Sequence, residues 1–169
     1  MQTSLQSTFH ESVKPISWLI GKWVSSSGKG IYPTIQPFSY CEEIEFASLG
    51  QPLLNYKAHT WHPEKKSPMH LESGFLRIKP GTNQLAFMVA HNFGLTSLEE
   101  GEVVGTEISL KSSHISRMAF AKDPAVTKIE RVIKLYNNEL CQVVYMETEK
   151  TGLTEHLRII YKKLSSEDV

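Results

Sequence analysis

Short β-rich runs alternate with compact turn signals along most of this chain, and nothing between them is long enough to be a helical crossover. Gly50-Gln51-Pro52, Pro80-Gly81-Thr82-Asn83, Gly105-Thr106 and Asn137-Asn138 mark the clearest turns. Strands joined this tightly pair antiparallel with their sequence neighbours. The spacing predicts about ten strands in an up-and-down meander. A long meander leaves two bare edges, and closure into a barrel removes both. The expected fold is all-β, a closed antiparallel barrel with room for one small ligand.

Composition enters as support. The 169 residues are one domain's worth. Ala, the best helix former, occurs only seven times, while the β-branched and aromatic residues that suit a pleated surface abound. Eighteen Lys and Arg balance eighteen Asp and Glu, so nucleic-acid binding is not expected. No apolar run approaches the ~20 residues of a membrane helix. The polar start MQTSLQSTFHESVKP does not read as a signal peptide. Cys41 and Cys141 make no disulfide framework, which points to a reducing, cytoplasmic setting with nuclear access open.

Residues 1–13 read as a polar tail, 14–164 as the barrel domain and 165–169 as a second tail. Pro15 opens one short helix over Ile16–Ile20, closed by Gly21 and suited to covering one barrel end. The first strand is expected over Lys22–Ser26 and interrupted by the Ser-Gly stretch 25–30. A turn is expected at Glu100-Gly101, and a break between Ser112 and Ser113. Trp18, Trp23 and Trp61 are read as core.

Seven histidines are the obvious chemical candidates. His59 and His62 are three apart, which on a strand puts them on opposite faces and makes a poor chelate. His10 and His114 lie in polar surroundings. His70, His91 and His156 each fall within an expected strand. Alternation groups His91 with Leu85, Phe87 and Val89, a bulky set that faces a barrel interior. It groups His156 with Thr154, Arg158 and Ile160, and polarity alone turns that face to water. Glu42 and Glu43 are adjacent and point to opposite faces, so they form no acid/base pair. No phosphate loop, nucleophile elbow or redox cysteine spacing occurs. Met69, Met88 and Met146 lie in strands and suit either core gaps or a large flat apolar ligand.

Several segments resemble one family. Gly21-Lys22-Trp23, Gly30-Ile31-Tyr32-Pro33-Thr34-Ile35, Phe38-Ser39-Tyr40-Cys41-Glu42-Glu43, Pro68-Met69-His70 and Leu153-Thr154-Glu155-His156-Leu157 together resemble the nitrobindins, over about Pro15 to Lys163. Two glycines of the family's G-x-W-x-G-x-G are Ser25 and Ser27 here, and His91 stands where many members have Gln. The resemblance implies a barrel of lipocalin or fatty-acid-binding-protein shape. It also implies ferric haem b at the barrel mouth, binding of nitric oxide, and isomerisation of peroxynitrite to nitrate. His156 matches the axial iron ligand, which turns it inward together with Val144, Met146 and Thr148. Thr34 matches a haem-contact position. Met69, His70 and Met146 match pocket-lining positions, and Lys122 a basic residue near the haem propionates. His91 is expected on the pocket wall, at most donating a hydrogen bond to a bound ligand, with the iron five-coordinate.

Two other functions stay open at this point. One is a haem-free carrier of a small apolar ligand; the other is an interaction module with a vestigial pocket. Self-association as a homodimer stays open as well.

Overall fold

The computed structural model describes residues 9–165. The chain runs from a 3₁₀ helix, η1 (Glu11–Leu19), into ten strands. These are β1 (Gly21–Tyr32), β2 (Ile35–Ser48), β3 (Leu53–Trp61), β4 (Pro68–Ile78), β5 (Gln84–His91), β6 (Leu95–Val104), β7 (Glu107–Arg117), β8 (Val126–Tyr136), β9 (Glu139–Thr148) and β10 (Thr151–Lys163). Each strand pairs antiparallel with the next, and β1 pairs with β10 to close the barrel. The Asn137-Asn138 signal is a hairpin turn with both residues at positive φ, 50° and 62°, as a type I′ turn needs.

With an even number of strands, the β1–β2, β3–β4, β5–β6, β7–β8 and β9–β10 connections share one end, here the mouth. The other end is capped by η1. Val13, Ile16 and Leu19 recur every third residue and are all fully buried. That spacing suits the 3.0-residue turn of a 3₁₀ helix, in which such positions stack on one face. The helix therefore starts at Glu11, not at the expected Pro15, and His10 caps it by accepting from the Ser12 amide. Within the stretch read as an N-terminal tail, residues 1–8 lie outside the described residues, while Phe9 packs on the core. Trp23 is buried and its indole donates to the Leu19 carbonyl, fixing the cap to β1. Trp18 is only partly buried, and Trp61 lies half-buried against His59 rather than in the core.

Three expected breaks are absent. Glu100-Gly101 lies inside β6, where Gly101 pairs with both Leu85 and Leu110. A Cβ at Gly101 would meet the Ser109 carbonyl oxygen at 1.8 Å, so this glycine marks close backbone approach rather than a turn. The Ser-Gly stretch belongs to β1, with a register shift between Ser25 and Gly28. β7 runs through Ser112-Ser113. Its ladder with β8 nevertheless ends at Lys111↔Glu130, and beyond it the Ser112 hydroxyl accepts from the Ile129 amide. The wall thus loses backbone pairing toward the mouth.

Candidate functional site

The mouth half of the barrel holds a cavity with about 850 Å³ of unfilled space, counting its open end. Its upper walls are apolar, with Phe38, Met69, Phe93, Val144, Met146 and Leu157. Its deeper lining is polar, with Glu42, Glu72, Arg131 and Gln142.

His156 and Leu157 both line the cavity, although neighbours on a regular strand face opposite ways. The cause is a β-bulge. Glu155 pairs with Tyr145 and Leu157 with the adjacent Val144, so His156 is the extra residue. A bulge places one unpaired residue between two ladder positions and re-aims its side chain. Leu157, Ile159 and Tyr161 keep the inward phase, while Arg158 and Ile160 stay outside. Period-two alternation therefore assigns His156 to the wrong face, and the inward placement implied by the resemblance is the one found.

His156 Nδ1 lies 3.1 Å from the Ile31 carbonyl oxygen. A carbonyl only accepts, so Nδ1 carries the proton and Nε2 carries the lone pair in the neutral ring. Burial pushes the imidazole pKa down, the Ile31 carbonyl opposes this, and nearby His70 adds to the lowering. Tyr32 packs edge-on to the ring at 5.2 Å and is itself tied by its hydroxyl to the Met146 carbonyl. The result is a neutral, oriented imidazole with one free donor atom in an apolar cavity. This is how a protein prepares a metal-ligating histidine, by fixing the tautomer with an outer hydrogen bond.

A buried ionic network forms another wall. Arg131 is 3% exposed and Glu99 fully buried. The Arg131 Nε binds Glu99 at 2.8 Å, and its two terminal nitrogens reach Glu72 at 3.3 and 3.2 Å. Tyr56 also donates to Glu72 at 2.7 Å. Burial pushes the Glu72 carboxyl up, but Arg131 and the hydrogen bonds from His70 and His91 outweigh it and hold it well below the usual carboxylate range. Glu42 behaves oppositely. Burial is the larger influence there; the Tyr161 hydroxyl and Arg131 offset it only in part, Glu72 adds to it, and the carboxyl is pushed up to about 8.

Five of the residues singled out from the sequence, Met69, His70, His91, Met146 and His156, meet on this cavity. Thr34 and Lys122 are exposed on mouth-end connections and do not line it. His91 does face inward with Leu85, Phe87 and Val89. Its nitrogens, however, are taken up inside the wall. Nε2 lies 3.1 Å from Ser97 Oγ, and Nδ1 faces Glu72 Oε1 at 3.3 Å and His70 Nε2 at 3.4 Å. That Glu-His-Ser sequence is not a nucleophile relay, because Ser97 is buried and donates its proton to Glu99.

Sequence reasoning missed Glu72, Glu99, Arg131 and the buried role of Glu42. One signal was present: each is a charge flanked two residues away, on the same face, by mostly small or apolar residues, as in Ile129-x-Arg131-x-Ile133 and Tyr40-x-Glu42-x-Ile44. Which charge meets which is set by barrel closure and cannot be read along one strand.

Residues 12–163 match the family model described as the THAP4-like, heme-binding beta-barrel domain. The human protein named peroxynitrite isomerase THAP4 is 45% identical over 155 residues, covering 90% of this chain but 27% of that protein. The chain thus spans about a quarter of the length of such mammalian relatives. An Arabidopsis thaliana protein, named peroxynitrite isomerase Rv2717c, is 36% identical with 92% of this chain and 90% of its own length covered. The crystal structure of Rv2717c from M. tuberculosis superposes with a TM-score of 0.84 at 31% identity, covering 93% of this chain and 99% of that one.

Proposed function

The chain belongs to the family of THAP4-like, haem-binding β-barrel domains, and on that premise we propose that it holds ferric haem b on His156 and isomerises peroxynitrite to nitrate. The observation that carries the reading is the Ile31 carbonyl on His156 Nδ1, which leaves Nε2 as a bare donor in a cavity whose upper walls are apolar. The residues fit the group: one neutral imidazole, thioethers from Met69 and Met146, and aromatic walls from Phe38 and Phe93. The names of the relatives support the substrate.

A bound haem would supply iron as the Lewis-acidic centre for peroxynitrite and nitric oxide, and His156 would hold it. The chain's own part is to hold and enclose. His156 keeps the ligand nitrogen unprotonated and aimed. Met69, Met146, Val144 and Leu157 line the cavity with apolar groups and would keep water from the bound substrate. His91 is bound into the wall, so His156 is the histidine that would hold the iron. Thr34 and Lys122 sit on connections at the mouth; we assign Thr34 to contact with the cofactor and Lys122 to its carboxylate edge. The free thiols of Cys41 and Cys141 suit a reducing compartment, and no helix among the described residues is long and apolar enough to cross a membrane.

A fatty-acid carrier fits less well. Such a barrel needs a free buried cation for a carboxylate, and Arg131 is already paired with two glutamates.

The test is reconstitution with hemin. The wild-type chain should give a stoichiometric Soret band and a high-spin ferric spectrum. It should also speed peroxynitrite decay to nitrate and protect free tyrosine from nitration. His156→Ala should lose the band while keeping the fold. A wild-type Soret spectrum in that variant rejects His156 as ligand, and equal peroxynitrite decay with and without haem rejects the activity.

A further inference from the structure

Opposite the reading built on His156 stands a cluster that it does not use. His70 Nε2, Glu72 Oε1 and His91 Nδ1 converge on one patch of the cavity wall, with all their ligand-type atoms within 4.8 Å of one another. The three separations are 3.0 Å for His70–Glu72, 3.3 Å for His91–Glu72 and 3.4 Å for His91–His70. Atoms that share one ion at roughly 2.1 Å, with angles between octahedral and tetrahedral, lie about 3.0–3.4 Å apart. The triangle already has the size that one ion would impose.

The hydrogen bonds behind the triangle point the same way. Glu99 is a carboxylate gripped by Arg131, so the Ser97 proton goes to it and Ser97 can only accept from His91. His91 Nε2 must therefore be the N–H. With Nε2 committed to Ser97, His91 presents Nδ1 toward Glu72 Oε1 and His70 Nε2. In the ion-free protein a proton on these nitrogens joins them to Glu72 Oε1 by hydrogen bonds, and a divalent ion that displaces it takes up the same three atoms. Charge counting agrees, since Glu72 and Glu99 carry two negative charges and Arg131 supplies one positive. The outer bonds also supply what metal sites need. His91 is oriented through Ser97 and Glu99, and Glu72 through Arg131 and Tyr56. On the chain side, the His70 amide is held by Thr60 Oγ1 at 2.7 Å.

We propose that His70 Nε2, Glu72 Oε1 and His91 Nδ1 form a binding site for a divalent transition-metal ion of the zinc, iron(II) or cobalt(II) kind, on the cavity wall between β4 and β5. Two imidazoles and one carboxylate select borderline metals over Ca²⁺ and Mg²⁺, which take oxygen. Three protein ligands on one side leave the remaining positions facing the cavity. The His70 side chain is 30% exposed, which gives the ion a route from the mouth. The site uses no atom of His156 and does not depend on haem.

Cobalt(II) is the probe, because its visible ligand-field bands report coordination directly. Haem-free protein is titrated with Co²⁺, by absorption and by calorimetry. Wild type and His156→Ala should each bind one Co²⁺ with equal affinity and the same bands. His91→Gln and His70→Ala should each weaken binding by at least ~10-fold and change the bands. Gln keeps a donor toward Ser97, and near-UV dichroism checks that each variant is folded; if one is not, the other decides. The proposal is overturned if wild type binds no Co²⁺ at millimolar concentration, because then a shared proton fills the triangle. It is equally overturned if the folded His70 or His91 variants bind as wild type, or if His156→Ala alone abolishes binding. Loss of the Soret band in His156→Ala bears only on the haem reading, so the two claims fail separately.

Discussion

The capped half and the mouth half of the barrel are built from the same ten strands and solve opposite problems. Below, η1 and large side chains such as Trp23, Phe46, Leu54, Phe87 and Tyr161 form one continuous apolar cluster. Above, the buried apolar residues shrink to a small cluster of Leu95, Ile129 and Val144 around an unfilled cavity. The charged and hydrogen-bonded residues of the interior gather on the cavity side. Folding free energy therefore comes mainly from the capped end, where apolar burial scales with area. The mouth end has room for chemistry because the rest of the strand length already holds it in place.

This division can be broken most sharply at Arg131, which is the exception to it. Arg131→Ala leaves Glu72 and Glu99 buried without a counter-charge and should cost roughly 3–5 kcal/mol in denaturant unfolding. A cost below ~1 kcal/mol would show that the mouth half tolerates unpaired charge and that the network is not structural. In the capped half, Leu19→Ala should cost roughly 2–4 kcal/mol, because the helix packs tightly and leaves a cavity behind. A near-neutral result there would mean that η1 detaches easily and is not part of the folding unit.

The next effect is a pH dependence. The Glu42 carboxyl is raised from 4.5 to about 8. Between those values the folded state holds a proton that the unfolded state releases, so this group's contribution falls as pH rises and levels off above about 8. Glu42→Gln should remove that slope and add on the order of 1–3 kcal/mol at pH 8, with no gain below pH 4. Glu72 works with the opposite sign: its lowered carboxyl stabilises above the unfolded carboxylate range and stops doing so as pH falls. A Glu42→Gln chain whose stability still declines from pH 5 to 8 would locate the slope elsewhere.

His156→Ala should change stability by less than ~1 kcal/mol, since it removes a half-buried ring from a bulge and not from the core. Thr34→Ala and Lys122→Ala should stay within ~0.5 kcal/mol, as expected for exposed connections. Their effect, if Thr34 contacts the cofactor and Lys122 its carboxylate edge, is on haem dissociation, measured by transfer to an acceptor globin.

Most of the fold was legible along the chain. Tight turns and alternation specify a closed meander, and the Asn137-Asn138 hairpin and the inward set ending at His91 follow from local rules. The misreadings have one physical source. Gly101 and the Ser-Gly stretch look like punctuation, yet they sit in strands where neighbouring backbone leaves no room for a side chain or where register slips. The bulge at His156 shifts the phase by one residue, and nothing in Thr154–Ile160 announces it. The ionic network needs four strands at once, which no single-strand pattern contains. Thr34 and Lys122 can be matched by resemblance, but their place at the rim depends on which end of the barrel opens.

Closure of an even-stranded barrel has a consequence for where the described chain enters and leaves it. β1 starts and β10 finishes at the capped end, with Trp23 beside Lys163 across the seam and the Leu164 amide on the Lys22 carbonyl. The described part of the chain thus begins and ends at the capped end, roughly 25 Å of tilted strand away from the mouth. Entry and exit of the described chain therefore share the end opposite the cavity, and the seam that closes the barrel is also where its two ends meet.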